Sequence, residues 1–267
     1  MREVCIVMKL SFICPSNNPQ MFNDNVVKSL DIQKNRDFEL ILVDTQKEHY
    51  TSAAAALNAG AARASGEYLV FLHHDIVFES ADFIDELLDM IGRCKFLIGG
   101  VAGTIMGDKP HSSKLLSNID HGVENRRRAA SKVFLDAPPF THPMPLETVD
   151  ECLFVIPAEV FKKRNFPEFI PTWHLYAVEY CLWAYEQDME NPVMLLPVSL
   201  WHLSAGNSLN RNYYKALRRL RKIYNKDMIT SVGAWPGTPF AFEHKIFRHR
   251  LHQTRLKIRN LRRKWNI

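Results

Sequence analysis

Three polar side chains end a strongly apolar run in the first third of the sequence. The stretch EYLVFLHHDI, residues 67–76, passes from a strand-like pattern directly into His73, His74 and Asp75. Burying such groups without partners costs roughly 2 kcal/mol or more for each. We therefore expect the strand to end there, at the edge of a cleft, with these side chains facing a polar ligand.

A second apolar run, VMLLPVSLWHLSAG at 193–206, reaches His202 in the same way. Carboxylate oxygens and imidazole nitrogens both bind divalent cations, so Asp75 and His202 are candidate ligands of one metal ion. For each residue alone the alternative is structural, with HHD as an ordinary turn and His202 as a core histidine.

The elements that must position these residues alternate between strands and helices. This pattern predicts an α/β fold with an open, mostly parallel central sheet flanked by helices. In such sheets, ligands bind beyond the carboxyl ends of the strands. The predicted order is strand 8–14, helix 21–34, strand 38–44, helix 53–64 and strand 65–72.

Polar residues also follow the first two predicted strands. Pro15 and Ser16 come after the first strand, and Asp44 ends the second. We expect them to converge with His73–Asp75 on one crevice. The alternative for Asp44 is a turn-forming role. The PSNNP stretch after the first strand lacks the glycine fingerprint of a dehydrogenase.

The rest of the chain predicts further alternation and one long irregular segment. That segment is longer than an ordinary connection, which favours a loop over the substrate. The predicted elements are helix 81–91, a glycine-rich strand and turn at 95–103, irregular chain at 104–146, strand 150–157, helix 173–188, strand 193–206 and basic helical stretches at 210–225 and 243–265.

Composition limits the class of protein. The chain has 267 residues and no run of about 18 apolar residues, so the sequence predicts no membrane span. Its N-terminus reads as a first strand rather than a signal peptide. The five cysteines form no CxxC pair, which indicates free thiols in a reducing cytoplasm and disfavours a cysteine-based zinc site.

Several motifs together resemble the family 2-type glycosyltransferases of the GT-A fold, closest to the StrF-like branch with its HQD-type string. The resemblance covers roughly residues 8–207, which predicts a GT-A domain at 1–207 and a basic helical extension at 208–267. The motifs that carry it, in order, are LSFICPSNNP, FELILVDT, ALNAGAARASGEYLVFLHHDI, VDECLFVIPAEVF, WHLYAVEYCL and LWHLSAG.

The resemblance implies an enzyme that uses a nucleotide-diphosphate sugar with Mn²⁺ or Mg²⁺. It implies that Asp75 and His202 bind the cation, and His73 stands where the family usually has its first Asp. It also implies that Asp44 contacts the nucleotide base or ribose. The other candidate nucleotide contacts come from their places in the predicted sheet: Pro15, Ser16, His73 and His74 follow strand ends, and either Asn58 or Arg63 reaches the nucleotide from helix 53–64. A solvated helix face explains Arg63 equally well.

An inverting transfer needs a base that takes the proton of the acceptor hydroxyl. In the resembling family this base is an acidic residue at the start of the helix that reads HLYAVEYCLW here. Ala177 occupies that position, so the chain departs from the pattern. Glu179 is the first candidate, with His174 and Asp150 in reserve. The alternative for Glu179 is a surface helix acid.

The net charge of +5 hides a strongly basic C-terminal segment. Residues 205–267 contain 16 Lys and Arg against two acids. This segment predicts an interfacial helix on anionic lipid, with packing on the catalytic domain and nucleic-acid binding as alternatives, the last without a recognised motif. The apolar stripe of that helix comprises Phe247, Leu251, Ile258, Leu261 and Trp265.

Two functions remain open from the sequence. The first is a glycosyltransferase of glycan biosynthesis, inverting and metal-assisted, acting on a saccharide, lipid-linked or small-molecule acceptor. It would be cytoplasmic and peripheral on the inner membrane face. The second is a noncatalytic relative that binds a sugar nucleotide or glycan and has lost its base at Ala177. The sequence does not predict an oligomeric state.

Overall fold

The computed structural model of the chain describes residues 9–109, 111–122, 139–169, 171–203 and 209–264. Fifteen strands occur in this part of the chain. They are β1 (Leu10–Ser16), β2 (Phe38–Asp44), β3 (Tyr68–Leu72), β4 (Ile76–Val77), β5 (Ile98–Gly100), β6 (Ala102–Met106), β7 (Ser113–Ser117), β8 (Ile119–His121), β9 (Met144–Pro145), β10 (Thr148–Val149), β11 (Leu153–Pro157), β12 (Val193–Leu195), β13 (Leu200–His202), β14 (Met228–Thr230) and β15 (Gly233–Trp235).

The helices alternate with the strands in the first half and dominate the end. A π-helical turn at Asn23–Val27 joins the first two helices. The helices are α1 (Pro19–Phe22), α2 (Lys28–Asp31), α3 (Thr45–Glu48), α4 (Ala53–Ala61), α5 (Phe83–Gly92), α6 (Ala158–Lys163), α7 (Tyr176–Ala184), α8 (Arg211–Tyr224) and α9 (Pro239–Lys264).

A seven-stranded sheet forms the centre of the fold, in the order β2-β1-β3-β11-β5-β12-β9. Strands β2, β1, β3, β5 and β12 run in one direction, whereas β11 and β9 run against them. The prediction of an α/β fold with a mostly parallel central sheet flanked by helices is therefore confirmed, with β11 inserted antiparallel beside β3.

Both faces of this sheet are covered, as the continuous apolar runs of its strands require. Successive residues of a strand point to opposite faces. In β1, Phe12 joins the cluster under α2 and α5, while Ile13 joins the cluster under α4. Ser52 caps the start of α4, because its Oγ accepts the N–H of Ala55 at 3.1 Å.

The run at 193–206, predicted as one strand, is two strands in different sheets. Strand β12 lies in the central sheet, whereas β13 belongs to a three-stranded sheet in the order β4-β13-β8. Pro197 lies between them and has no N–H to continue a ladder. This break carries His202 away from the central sheet and beside β4.

Part of the segment 104–146, predicted to be irregular, is regular structure. Strand β7 pairs antiparallel with β6, and β6 also pairs with β10. Strands β8 and β9 complete the regular part. Residues 123–138 lie outside the described residues, so the predicted substrate loop there is not described.

The basic C-terminal segment packs on the preceding fold through α8. Tyr213, Leu217 and Leu220 of α8 are buried in one cluster with Leu175 and Val178 of the α7 region. For this helix the packing alternative is therefore the observed one. Helix α9 differs, because Phe247, Leu251 and Ile258 are exposed.

None of the described helices combines the length and the apolar composition that crossing a membrane requires.

Candidate active site

Three residues from two separate parts of the chain meet at the end of β3. His73, Asp75 and His202 each offer a ligand atom, and these atoms all lie within 4.8 Å of one another. Nε2 of His202 lies 3.3 Å from Oδ1 of Asp75, and both side chains are more than nine-tenths buried. The rings of His73 and His202 are 5.5 Å apart between centroids.

Backbone pairing fixes this arrangement. Strand β13 pairs antiparallel with β4, which places His202 opposite Ile76. The N–H of Leu203 donates to the carbonyl of Asp75 at 3.0 Å. The N–H of His73 donates to the carbonyl of Cys152 at 2.9 Å. Main-chain hydrogen bonds and strand pairing therefore fix the backbone positions of all three residues.

The surroundings of His73 favour its neutral imidazole, which is the form that can bind a metal ion. Burial lowers the pKa of His73 to about 4, and the adjacent His202 adds to this effect against the opposing charge of Asp75. A neutral imidazole keeps a nitrogen lone pair available to a metal ion or to a hydrogen-bond donor.

The donor set fits a divalent cation that accepts mixed ligation. Two imidazole nitrogens and one carboxylate oxygen form the group. Mn²⁺ tolerates mixed nitrogen and oxygen ligation better than Mg²⁺, which prefers oxygen ligands and water. His73, which the sequence assigns to the nucleotide, lies within this group as well.

The end of β1 meets the same segment through Ser16. Its hydroxyl lies 2.7 Å from Nδ1 of His74, and the Ser16 side chain is buried. Burial lowers the pKa of His74, while Asp75 opposes the shift. Pro15 pairs with Val43 of β2, in register with the neighbouring strand. The ends of β1 and β3 thus converge as the sequence predicts.

Asp44, at the end of β2, caps α3. Its Oδ1 accepts the N–H groups of Gln46 and Lys47, and its Oδ2 lies 3.3 Å from Nζ of Lys47. Burial alone would raise the pKa of Asp44, but the bonds to Lys47 and Gln46 lower it overall. The turn-forming alternative therefore describes its local contacts.

Asn58 and Arg63 have partners within the protein. Asn58 ties α4 to the loop after α6, because its amide donates to the carbonyl of Phe166 and accepts the N–H of the same residue. Nη2 of Arg63 donates to the carbonyl of Leu42 at 2.5 Å. These contacts hold the helix against its neighbours and are sufficient to explain both residues.

Asp150 and Glu151 precede β11 on the same side as His73. The carboxylate of Asp150 accepts the N–H of Cys152 at 3.0 Å, and its charge acts on His73. Burial raises the pKa of Glu151 to about 8, Asp150 adds to the rise, and backbone N–H groups at the start of α7 oppose it.

The sequence reasoning did not find Glu151, although the DE pair before the apolar run LFVIP is visible. Its burial depends on α7, which begins close by and directs backbone N–H groups of Leu175, Tyr176 and Ala177 at the carboxyl group. The carboxyl of Glu151 thus lies at the helix start, beside the position where the resembling family carries its base.

Glu179 lies on another side of α7 from Ala177, because residues two positions apart in a helix are separated by roughly 200° around its axis. The Glu179 side chain is 3% exposed, and its Oε1 receives Nη2 of Arg164 at 2.5 Å and the hydroxyl of Tyr224 at 2.6 Å. Its carboxylate is thus engaged in a buried ion pair. The ring of His174 packs edge-on against Tyr213, at the side of α8.

Comparison of the sequence with protein families settles the class. Residues 11–224 match the sequence profile of a family described as glycosyltransferase-like. The chain belongs to this family. The match covers the central sheet, the group formed by His73, Asp75 and His202, and α8. It therefore extends into the first helix of the predicted C-terminal extension. No curated protein is significantly similar to the chain.

Solved structures show the same fold for this glycosyltransferase-like chain. GalNAc-T7 with UDP, GalNAc and Mn²⁺ superposes with a TM-score of 0.57 at 12% identity, over 81% of this chain and 49% of that one. Residues 1–349 of S. aureus TarS with UDP-GlcNAc give 0.54 at 15% identity, over 80% and 66%. The chain thus spans about half of the first and just under two thirds of the second. Both are GT-A glycosyltransferases, which confirms the GT-A fold.

Proposed function

We propose that this protein is a glycosyltransferase that moves a sugar from a nucleotide-diphosphate sugar to an acceptor hydroxyl, with inversion and with a divalent cation. The observation that carries the proposal is the meeting of His73, Asp75 and His202 at the strand ends of a GT-A sheet. The nucleotide-sugar ligand of TarS and the UDP and Mn²⁺ of GalNAc-T7 support this ligand class. The HHD string supports a place near the StrF-like branch.

In this proposal, Asp75, His202 and His73 hold the cation. When bound, the cation neutralises charge on the diphosphate of the leaving group. The pair formed by Ser16 and His74 lies at the adjoining strand end, where it is placed to hydrogen-bond the donor nucleotide. Asp44 also ends a strand, and in this proposal it contacts the donor ribose in addition to capping α3.

The acceptor oxygen attacks the anomeric carbon, the bond from that carbon to the diphosphate breaks, and the hydroxyl proton passes to a base. We assign this base to Asp150. Asp150 is partly exposed, and its negative charge raises the pKa of His73. The carboxylate of Glu179, in contrast, is paired with Arg164. Glu151, with its pKa near 8, lies beside Asp150 as a neutral group at neutral pH.

The second candidate is a noncatalytic relative that binds a sugar nucleotide. The observation in its favour is Ala177 at the place of the family's base. The two candidates differ in turnover and not in donor binding, so binding measurements alone do not separate them.

A transfer assay tests the proposal directly. Purified protein is incubated with UDP and GDP sugars, with Mn²⁺, Mg²⁺ or chelator, and release of nucleoside diphosphate is measured. We expect release that depends on Mn²⁺, with less in Mg²⁺. Binding of donors without any release, with acceptors of several classes present, would favour the noncatalytic relative.

We propose further that the protein works at the cytoplasmic face of a membrane, held there by α9. The exposed apolar residues Phe247, Leu251 and Ile258 recur at steps of four and seven on this basic helix. An amphipathic basic helix of this kind lies at the surface of an anionic bilayer. Leu261 and Trp265, the other residues of the predicted stripe, have no described side-chain position.

A further inference from the structure

A cavity lined mainly by cationic residues lies between α8 and α9, in the C-terminal part of the fold. Its volume is about 430 Å³, and it is lined by Arg211, Tyr214, Lys215, Arg218 and Arg250. Four of these five side chains are cationic. The cavity shares no residue with the His–Asp–His group and belongs to different elements. Its chemistry therefore calls for a separate explanation.

Helical spacing builds one wall of this cavity. Arg211, Lys215 and Arg218 follow one another at steps of four and three on α8, which places them on one face. Arg250 of α9 lies over the ring of Tyr214, with its guanidinium carbon 5.8 Å from the centroid. Tyr214, the buried residue of the lining, has a fixed position, because it is 7% exposed and its hydroxyl lies 3.1 Å from Nδ1 of His249.

The positive charge of the cavity exceeds its internal compensation. Glu243 pairs with Arg218 through Nε and Nη2, at 2.8 and 2.7 Å. Among the residues that the structure describes, this is the one carboxylate in an ion pair with the four lining cations. The other acid of the C-terminal segment, Asp227, lies 3.5 Å from His111 instead.

Like charges held on one helix face repel each other. A bound anion would remove that repulsion. Guanidinium groups bind phosphate with paired hydrogen bonds, and lysine binds it as a point charge. The cavity is therefore matched to a phosphate group carrying more than one negative charge.

The surroundings of the cavity indicate what the phosphate is attached to. Going around α9, Phe242 and Ile246 lie on the buried face, and Arg250 lies next to it at the cavity. Phe247 and Leu251 follow on the far side of Arg250 and are 65% and 41% exposed. On α9, the cationic cavity and the exposed apolar stripe therefore lie on neighbouring faces of the helix.

We propose that this cavity binds the phosphate headgroup of an anionic amphiphile, whose apolar chain lies along the stripe of α9. The ligand class is a phosphate monoester or diphosphate on a lipid. This site is distinct from the donor site and does not depend on glycosyl transfer, but it rests on the membrane contact proposed above for α9. It gives α9 selectivity for one kind of headgroup, beyond a general attraction to negative surfaces.

The test compares two double variants of the full chain that lose the same charge from the same region. Arg211→Ala with Lys215→Ala removes two exposed cavity residues. Lys222→Ala with Arg248→Ala removes two exposed basic residues of α8 and α9 that do not line it. Circular dichroism and thermal unfolding check that both variants fold.

Binding is measured by sedimentation with three kinds of vesicle: phosphatidylcholine alone, with phosphatidylglycerol, or with phosphatidic acid. We expect preference for phosphatidic acid in the native protein, because its monoester carries more charge. The cavity variant should lose about tenfold or more in affinity for those vesicles, as lost charge-assisted bonds imply, and the control variant much less.

Two results would overturn the proposal. Equal losses in both variants would show that diffuse positive charge accounts for the binding. Inorganic phosphate or diphosphate that binds as tightly as the vesicles, with the same sensitivity to the cavity variant in calorimetry, would show a site for small anions and not for an amphiphile.

Discussion

Oδ1 of Asp75 lies 3.3 Å from Nε2 of His202, across two strands that pair antiparallel. The two residues are far apart in the sequence, and each follows an apolar run. Their contact arises because the chain leaves the central sheet after β12 and forms β13, which pairs with β4. This pairing turns two separate strand ends into one candidate cation site.

Asp75→Asn should remove most of the Mn²⁺ affinity of the protein, because the carboxylate is the one anionic ligand of the group. We expect a loss of roughly 100-fold. Calorimetry with Mn²⁺, with and without a nucleoside diphosphate, measures it. Asp188→Asn, an exposed acid in the segment after α7, is the matched control. Unchanged affinity in Asp75→Asn would remove this residue from the metal site.

Asp150→Asn should lower turnover while donor binding is retained. A general base contributes about 10²–10⁴-fold to the rate, and its loss acts on the transition state. Steady-state rates and donor affinity are measured on the same preparation, with acceptor in excess. A variant as active as the native protein would exclude Asp150 as the base.

Glu179→Gln should lower stability. The native carboxylate receives Arg164 and Tyr224 in a buried setting, and loss of its charge weakens both contacts. We expect the free energy of unfolding to fall by about 2 kcal/mol, measured by denaturant unfolding. Glu186→Gln, exposed just after the same helix, is the control. A variant of native stability that has lost turnover would instead return the catalytic role to Glu179.

Much of the fold follows from local sequence patterns. Strand β2 occupies the predicted residues 38–44, and Ser52, a residue type common at helix starts, caps α4. Continuous apolar runs specify strands buried on both faces, and small polar residues specify helix starts. These signals lie within a few residues of the structure that they determine, so one sequence is enough to find them.

The parts that the sequence did not predict depend on contacts between distant segments. From the sequence, Glu179 is a candidate base or a surface helix acid, and neither reading includes Arg164, which the end of α6 brings against it. Glu151 falls within the predicted strand 150–157, whereas in the structure it precedes β11 and the start of α7 buries it. The run at 193–206 splits into two strands because its second part pairs with β4, a short strand that lies outside the central sheet. Residue types alone do not encode which of these segments meet.

Stability should depend on pH through Glu151. Its pKa is about 8 in the folded protein against 4.5 as the ordinary value, so folding favours the protonated form. The stability that this preference provides is complete below pH 4.5 and is lost as pH rises towards 8. Native protein should therefore lose stability relative to Glu151→Gln across this window. Glu147→Gln, an exposed acid nearby, is the control, and a constant difference between native and Glu151→Gln would contradict the shift.

The exposed stripe of α9 should decide membrane binding. Phe247→Glu with Leu251→Glu places two negative charges on the face that would enter the headgroup region, and it removes the burial of two apolar side chains. We expect affinity for anionic vesicles to fall at least tenfold, since burying one such side chain contributes about 1.5 kcal/mol or more. Ile32→Glu, on a residue that is 53% exposed in another part of the fold, is the matched control. Native binding should weaken with added salt, because the basic residues act through a screened field. If the stripe variant binds vesicles as tightly as native protein, α9 is not the membrane contact.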